Sequence, residues 1–189
     1  MSAAGPVLIA FGANLEPLPN LWRGLQRLHA ELGLSAVSTV YRTPALPDPA
    51  ATGPVEVGPD YLNGAVRLAT WREPTALKGV LRAIEAGLHR VRGAGRYAPR
   101  PLDLDIALMG DCVLRTDTLV VPDPDILHRP FLAIPLAELA PALRHPLVGL
   151  SLAQIADRFA DRLQVDEEAT ACLQSLARPG FHLRTPPVG

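Results

Sequence analysis

Apolar residues recur at helical spacing through Leu18, Trp22, Leu25, Leu28 and Leu32, a stripe that predicts a helix of about fourteen residues stopping at Gly33. A second stripe, Leu77, Val80, Leu81, Ile84 and Leu88, begins just after Pro74, a residue suited to a first helical turn. Shorter segments follow the period of a strand. Val7 to Phe11 is a brief apolar run, and Leu34 to Tyr41 is rich in Val, Ser and Thr. Tyr61 to Leu68 alternates, with Tyr61, Asn63, Ala65 and Arg67 on one face and Leu62, Val66 and Leu68 on the core face. Further on, Leu102, Leu104, Ile106 and Leu108 occupy one side of a strand whose other side carries Asp103 and Asp105. The order strand, helix, strand, strand, helix, strand predicts an α+β fold with a ferredoxin-like βαββαβ core and additional C-terminal strands and helices.

The intervening segments refine this outline. Thr43 to Asp60, rich in Pro, Gly and Ala, predicts a long loop, and such length invites a functional reading. Pro122 to Pro135 reads as a proline-interrupted connection. Ser151-Leu-Ala-Gln154 has the form of a capping box, and Asp166-Glu-Glu ahead of Arg178 fits one more short helix. With 189 residues and 48% hydrophobic content, the chain can bury one core. The expected organisation is a main domain over residues 1–150, with residues 151–189 a helical extension packed on it.

Charge and cysteine content narrow the function classes. The 18 basic and 19 acidic residues nearly cancel, which argues against nucleic acid as a partner. Cys112 and Cys172 form neither a disulfide framework nor a zinc motif, and the five histidines show no metal-ligand spacing. The N-terminal apolar run lacks a basic lead and is too short for a membrane span, so a cytoplasmic protein is expected. Lys78 is the only lysine; it is followed by Gly79 and Val80, which excludes a Walker A loop. Any phosphate bound here must be held by arginine and metal.

Chemistry concentrates between Arg90 and Asp105, in R-V-R-G-A-G-R-Y-A-P-R-P-L-D-L-D. Asp103 and Asp105 lie two apart on one strand face, roughly 6–7 Å from each other at the backbone, and repel unless solvated, paired with arginine or bridged by divalent cations. Arg90, Arg92, Arg96 and Arg100 sit among Gly93, Gly95 and Pro99, a setting that suits a closing loop gripping phosphate better than a helix face. An exposed strand with two solvated acids is the bland alternative for the aspartates alone; the arginine-rich context favours polyphosphate held with metal.

These residues resemble the 6-hydroxymethyl-7,8-dihydropterin pyrophosphokinase family over roughly Val7 to Pro146. The likeness rests chiefly on Arg96-Tyr-Ala-Pro-Arg100-Pro-Leu-Asp103-Leu-Asp105-Ile. It is joined in order by Gly12-Ala-Asn-Leu, Tyr41-Arg-Thr-Pro44, Pro59-Asp-Tyr-Leu-Asn63, Val121-Pro122, Arg129-x-Phe131 and Pro135-Leu-Ala-Glu-Leu-Ala-Pro141. The resemblance implies an ATP-dependent diphosphotransferase of folate biosynthesis. Its substrates would be ATP and 6-hydroxymethyl-7,8-dihydropterin, and its products AMP and the pterin diphosphate. It implies two Mg²⁺ on Asp103 and Asp105, with Arg90 and Arg100 as the catalytic arginines. By the same matching, Glu85, Arg92, Arg96, Tyr97, Ile106, Asp123 and Arg129 belong to the ATP site. Thr43, Pro44, Leu46, Tyr61, Asn63 and Phe131 belong to the pterin site, with Tyr61 and Phe131 sandwiching the ring and Asn63 reading its edge. Asp123 departs from the pattern, standing where the family usually has a histidine that contacts ATP. A monomer is expected; the competing reading is a noncatalytic module binding pterin, nucleotide or RNA on a ferredoxin-like sheet.

Overall fold

The computed structural model describes residues 5–45, 58–88, 100–159 and 163–179. Within them an antiparallel sheet forms from β1 (Val7–Ala13), β2 (Leu34–Val37), β3 (Tyr41–Thr43), β4 (Tyr61–Leu68), β5 (Asp103–Met109) and β8 (Gln164–Val165). Its path runs β5-β1-β4-β3-β8, with β2 also paired to β4, so β5 and β8 end the path. A separate two-stranded ribbon joins β6 (Leu114–Arg115) to β7 (Val120–Val121). None of the described helices is long and apolar enough to cross a membrane.

Each face of the sheet buries its own core. On one face lie α1 (Pro17–Leu32) and α2 (Pro74–Ala86), joined later by α5 (Glu167–Gln174). Leu21, Trp22, Leu25, Leu28, Leu77, Leu81 and Ile84 from the first two helices meet Ile9, Phe11, Leu62, Val66, Leu104 and Ile106 from the strands. Both apolar stripes therefore pack as their spacing requires. α1 closes at Gly33, whose N–H bonds to the His29 carbonyl at 2.8 Å. α2 opens with Pro74 at its start and with the Glu73 side chain accepting from the Thr75 and Ala76 N–H groups.

The other face is covered by α3 (Pro130–Leu139) and α4 (Leu152–Ala156), where Leu132, Ala133, Leu136, Leu152 and Ile155 pack on Leu8, Ala65, Ala107 and Leu108. The segment expected as a proline-interrupted connection is thus partly helical. A short 3-10 turn spans Pro124–Leu127, and α3 starts at Pro130, where a missing N–H costs nothing. Pro135 lies inside α3, which nevertheless runs on to Leu139 because Leu132, Ala133 and Leu136 are buried around it.

Two local irregularities depart from the alternation read in the sequence. Leu34 to Tyr41 is not one strand. Val37 pairs with Val66 and Tyr41 with Asn63, so Ser38, Thr39 and Val40 stand opposite only Gly64 and Ala65. The extra residue is accommodated by distant partners. The Ser38 hydroxyl accepts from the Ala65 N–H at 2.9 Å, Glu138 accepts from the Thr39 N–H at 2.8 Å, and Thr170 accepts from the Val40 N–H at 2.9 Å. In β5, Ile9 pairs with Ile106 but Leu8 pairs with Leu108, leaving Ala107 as a bulge. Leu108 consequently joins the α3 face rather than sharing a side with Leu104 and Ile106, which corrects the simple alternation.

Residues beyond 150 are integrated with these cores. The Ser151–Gln154 capping box is formed in both directions, and Leu152 and Ile155 are fully buried. Asp166 caps α5 by accepting from the Ala169 N–H and also pairs with Arg42 at 2.5 Å. Ala169, Leu173 and Leu176 complete the core on the α1 side.

Candidate functional site

The face that carries α3 leaves a cavity of about 370 Å³ uncovered at one end of β1, β4 and β5. That size is within the range of small-molecule sites. One part of its wall is acidic: Asp103 and Asp105 from β5, with Asp123 and Asp125 from the segment after β7. Another part is flat and mostly neutral: Thr43, Pro44 and Ala45 after β3, Tyr61 and Asn63 from β4, and Phe131 from the first turn of α3. Arg100 and Arg129 also line it.

Strand alternation puts the two aspartates here. Leu104 is fully buried against the helices on the opposite face, so the neighbours on either side of it must turn toward the cavity. Asp103 is paired with Arg100, and Asp105 with the Lys78 ammonium at 2.6 Å. The start of β5 is held by Asn14, which is 3% exposed. Its side-chain oxygen accepts from the Arg100 N–H at 2.7 Å, while its own N–H donates to the Arg100 carbonyl at 3.0 Å. The Asn14 amide also donates to the Pro59 carbonyl at 3.1 Å, which ties the approach to β4 to the same point.

On the neutral side, the Asn63 amide donates to the Thr43 hydroxyl at 2.7 Å, which fixes both side chains. Room for Asn63 comes from its strand partner Gly12, where a Cβ would stand 2.8 Å from the Asn63 Oδ1. The wall after β3 is braced from α3, because Glu138 binds both the Thr39 N–H and the Tyr41 hydroxyl. Burial and that carboxylate push the Tyr41 phenol up to about 12, so it stays a hydrogen-bond donor.

Asp123 owes its position to the bulge in β5: its N–H donates to the Ala107 carbonyl at 2.8 Å. Its carboxylate accepts from the Asp125 N–H at 2.9 Å. Burial pushes its carboxyl up to about 6, with repulsion from Asp105 and Asp125 adding to the effect and the Asp125 N–H and Lys78 opposing it. The folded protein therefore binds more protons than the unfolded chain between about pH 4 and 6, and its stability falls as pH rises through that window. Asp123→Asn keeps the acceptor for the Asp125 N–H and removes the charge. In chelator at pH 8 it is expected to stabilise the fold by about 1–3 kcal/mol in urea unfolding, a gain that disappears below about pH 4. An equal gain at both pH values would show that charge is not its source.

Of the residues singled out in the sequence, the cavity gathers Thr43, Pro44, Tyr61, Asn63, Arg100, Asp103, Asp105, Asp123, Arg129 and Phe131. Glu85 and Ile106 are placed elsewhere. Glu85 is 1% exposed between α2 and β5, accepting from the Leu104 N–H at 2.9 Å, and Ile106 belongs to the helix-side core. Leu46, Arg90, Arg92, Arg96 and Tyr97 lie outside the described residues. Lys78 and Asp125 escape the sequence reading. A lone lysine outside a Walker motif carries no signal of its own, whereas Asp123-Pro-Asp125 repeats the two-apart spacing of Asp103 and Asp105.

No group of three or more His, Cys, Asp or Glu side chains among the described residues forms a metal cage. The donor set is two neighbouring carboxylates on one strand beside an open cavity. It fits Mg²⁺, which keeps several waters and is commonly bound by one or two carboxylates together with substrate phosphates.

Comparisons with known proteins point to one family. The family described as 7,8-dihydro-6-hydroxymethylpterin-pyrophosphokinase matches residues 8–141. The 2-amino-4-hydroxy-6-hydroxymethyldihydropteridine pyrophosphokinase of Pseudomonas aeruginosa is 40% identical over 143 residues, covering 74% of this chain and 83% of that protein. The protein of the same name from Synechocystis is 36% identical over 151 residues, covering 80% and 74% respectively. Plasmodium falciparum HPPK-DHPS with pterin and p-hydroxybenzoate shares the fold, with a TM-score of 0.62 at 13% identity over 84% of this chain. The present chain spans 43% of that longer one.

Proposed function

Because this chain belongs to the 7,8-dihydro-6-hydroxymethylpterin-pyrophosphokinase family, we propose that it transfers the terminal pyrophosphate of ATP to the hydroxymethyl oxygen of 6-hydroxymethyl-7,8-dihydropterin. The observation that carries this reading is the juxtaposition of Asp103 and Asp105 with Thr43, Tyr61, Asn63 and Phe131 around one cavity. A phosphate end and a flat heterocycle end are thereby adjacent. In the step itself the hydroxymethyl oxygen bonds to the β-phosphorus, the bond from that phosphorus to the oxygen of AMP breaks, and the hydroxyl proton is lost. Tyr61 and Phe131 hold the pterin by its faces and Asn63 reads its edge, while Thr43 and Pro44 close the pocket's side.

Asp103 and Asp105 would hold Mg²⁺, as a pair of ions. When bound, Mg²⁺ neutralises charge along the triphosphate and polarises the attacking oxygen. Arg100 and Arg129 contribute fixed positive charge toward the transferring group and the nucleotide. Arg90, Arg92, Arg96 and Tyr97 are assigned to the catalytic loop and Leu46 to the pterin side, on sequence matching. The strand order supports a ferredoxin-like core, and the buried residues after 150 support one domain with a C-terminal extension. A cytoplasmic monomer without a nucleic-acid partner remains part of the proposal.

The test follows AMP release from ATP and Mg²⁺ with and without 6-hydroxymethyl-7,8-dihydropterin, resolving the pterin product by chromatography. The expected result is pterin-dependent AMP with an equal amount of pterin diphosphate. Folded protein that binds pterin or ATP without producing either would favour a noncatalytic binding module instead.

A further inference from the structure

The acidic wall carries a cation of its own. Lys78 stands on α2, on the opposite side of the sheet from the cavity, and β5 is the last strand of the sheet path. Its side chain reaches past that edge to Asp105, leaving Lys78 16% exposed and its partner 49% exposed. The other two cations are already engaged, Arg100 with Asp103 and Arg129 with Asp125 at 3.9 Å. Among the described residues three positive groups thus face four carboxylates, and Asp123 is the one with no ion-pair partner there.

An ammonium on Asp105 and a divalent cation on Asp105 exclude each other at the paired oxygen. Both are attracted to the same charge, and a direct ligand bond requires Lys78 to withdraw. A triphosphate arriving with its metal changes the balance, because it offers the displaced ammonium new anionic oxygens within the same cavity. We infer that Lys78 is a positioning residue that occupies Asp105 until nucleotide arrives, so that free divalent cation binds weakly and metal uptake is coupled to ATP. The inference rests on the assignment of Asp105 as a metal ligand. Coupling of this kind is reciprocal: whatever factor nucleotide adds to metal affinity, metal adds to nucleotide affinity.

The test is Mn²⁺ affinity, measured by electron paramagnetic resonance or calorimetry on the full chain, with and without α,β-methylene-ATP. Lys78→Met is expected to bind Mn²⁺ about tenfold more tightly than wild type without nucleotide, with the gain shrinking once the analogue is bound. Lys78→Arg, which keeps the charge, is expected to stay near wild type, and thermal unfolding verifies that both variants are folded. Equal Mn²⁺ affinity of wild type and Lys78→Met without nucleotide overturns the role of Lys78 while leaving the metal site intact. Failure of folded wild type to bind Mn²⁺ even with the analogue overturns the metal assignment itself, and the inference with it.

Discussion

Asp105→Asn is expected to lower pterin-dependent AMP formation by about 10³-fold or more at saturating ATP and Mg²⁺, and Asp103→Asn to do the same. The substitution is nearly isosteric, so it removes charge while leaving the shape of β5 alone. Folding has little at stake, since Asp105 is half exposed and both carboxylates point away from the buried Leu104 and Ile106. Exposed or partly exposed ion pairs such as those with Lys78 and Arg100 contribute about 0–1 kcal/mol. Unfolding midpoints near wild type together with lost turnover are therefore the expected pair of measurements. Near-normal AMP production by either folded variant would remove that carboxylate from the metal assignment.

The largest expected effect on stability comes from a position without any side chain. Gly64 pairs directly with Phe11, and a Cβ there would stand 2.4 Å from the ring. Gly64→Val is expected to destabilise by about 3 kcal/mol in urea unfolding. Strand propensity alone points the other way, favouring valine over glycine by about 1 kcal/mol. The steric effect wins because Phe11 is 3% exposed and packed in the core beneath α1 and α2. Phe11→Leu in the Gly64→Val background is expected to recover part of the loss by freeing the ring's volume. A Gly64→Val protein as stable as wild type would mean that the ring repacks without cost.

These two expectations mark how far the sequence could be read. The stripes of α1 and α2, the faces of β4 and the sharing of one face by Asp103 and Asp105 all follow from local periodicity, and the structure carries them. What local pattern could not supply is whatever distant groups decide. The break between β2 and β3 depends on Glu138 and Thr170, which lie 99 and 130 residues from their partners Thr39 and Val40. Glu85 is matched to the ATP site by resemblance; its burial on α2, with the carboxylate accepting from the Leu104 N–H, is set by the neighbouring strand and not by local pattern. Lys78 sits on a helix across the sheet from the cavity, and only the end position of β5 brings it around to Asp105.

The bulge at Ala107 also gives one strand two phases. Before it, β5 alternates charge against core; after it, Leu108 and Met109 are buried on opposite faces. The same residue anchors Asp123 through its carbonyl, so three of the four acids take their spacing from a single stretch of backbone. Deleting Ala107 would leave every acid in the sequence and Leu108 and the aspartate pair on their own faces, because Ile9–Ile106 and Leu8–Leu108 would then pair in unbroken alternation. It would remove the carbonyl that anchors Asp123, and with it the placing of the third acid beside the other two.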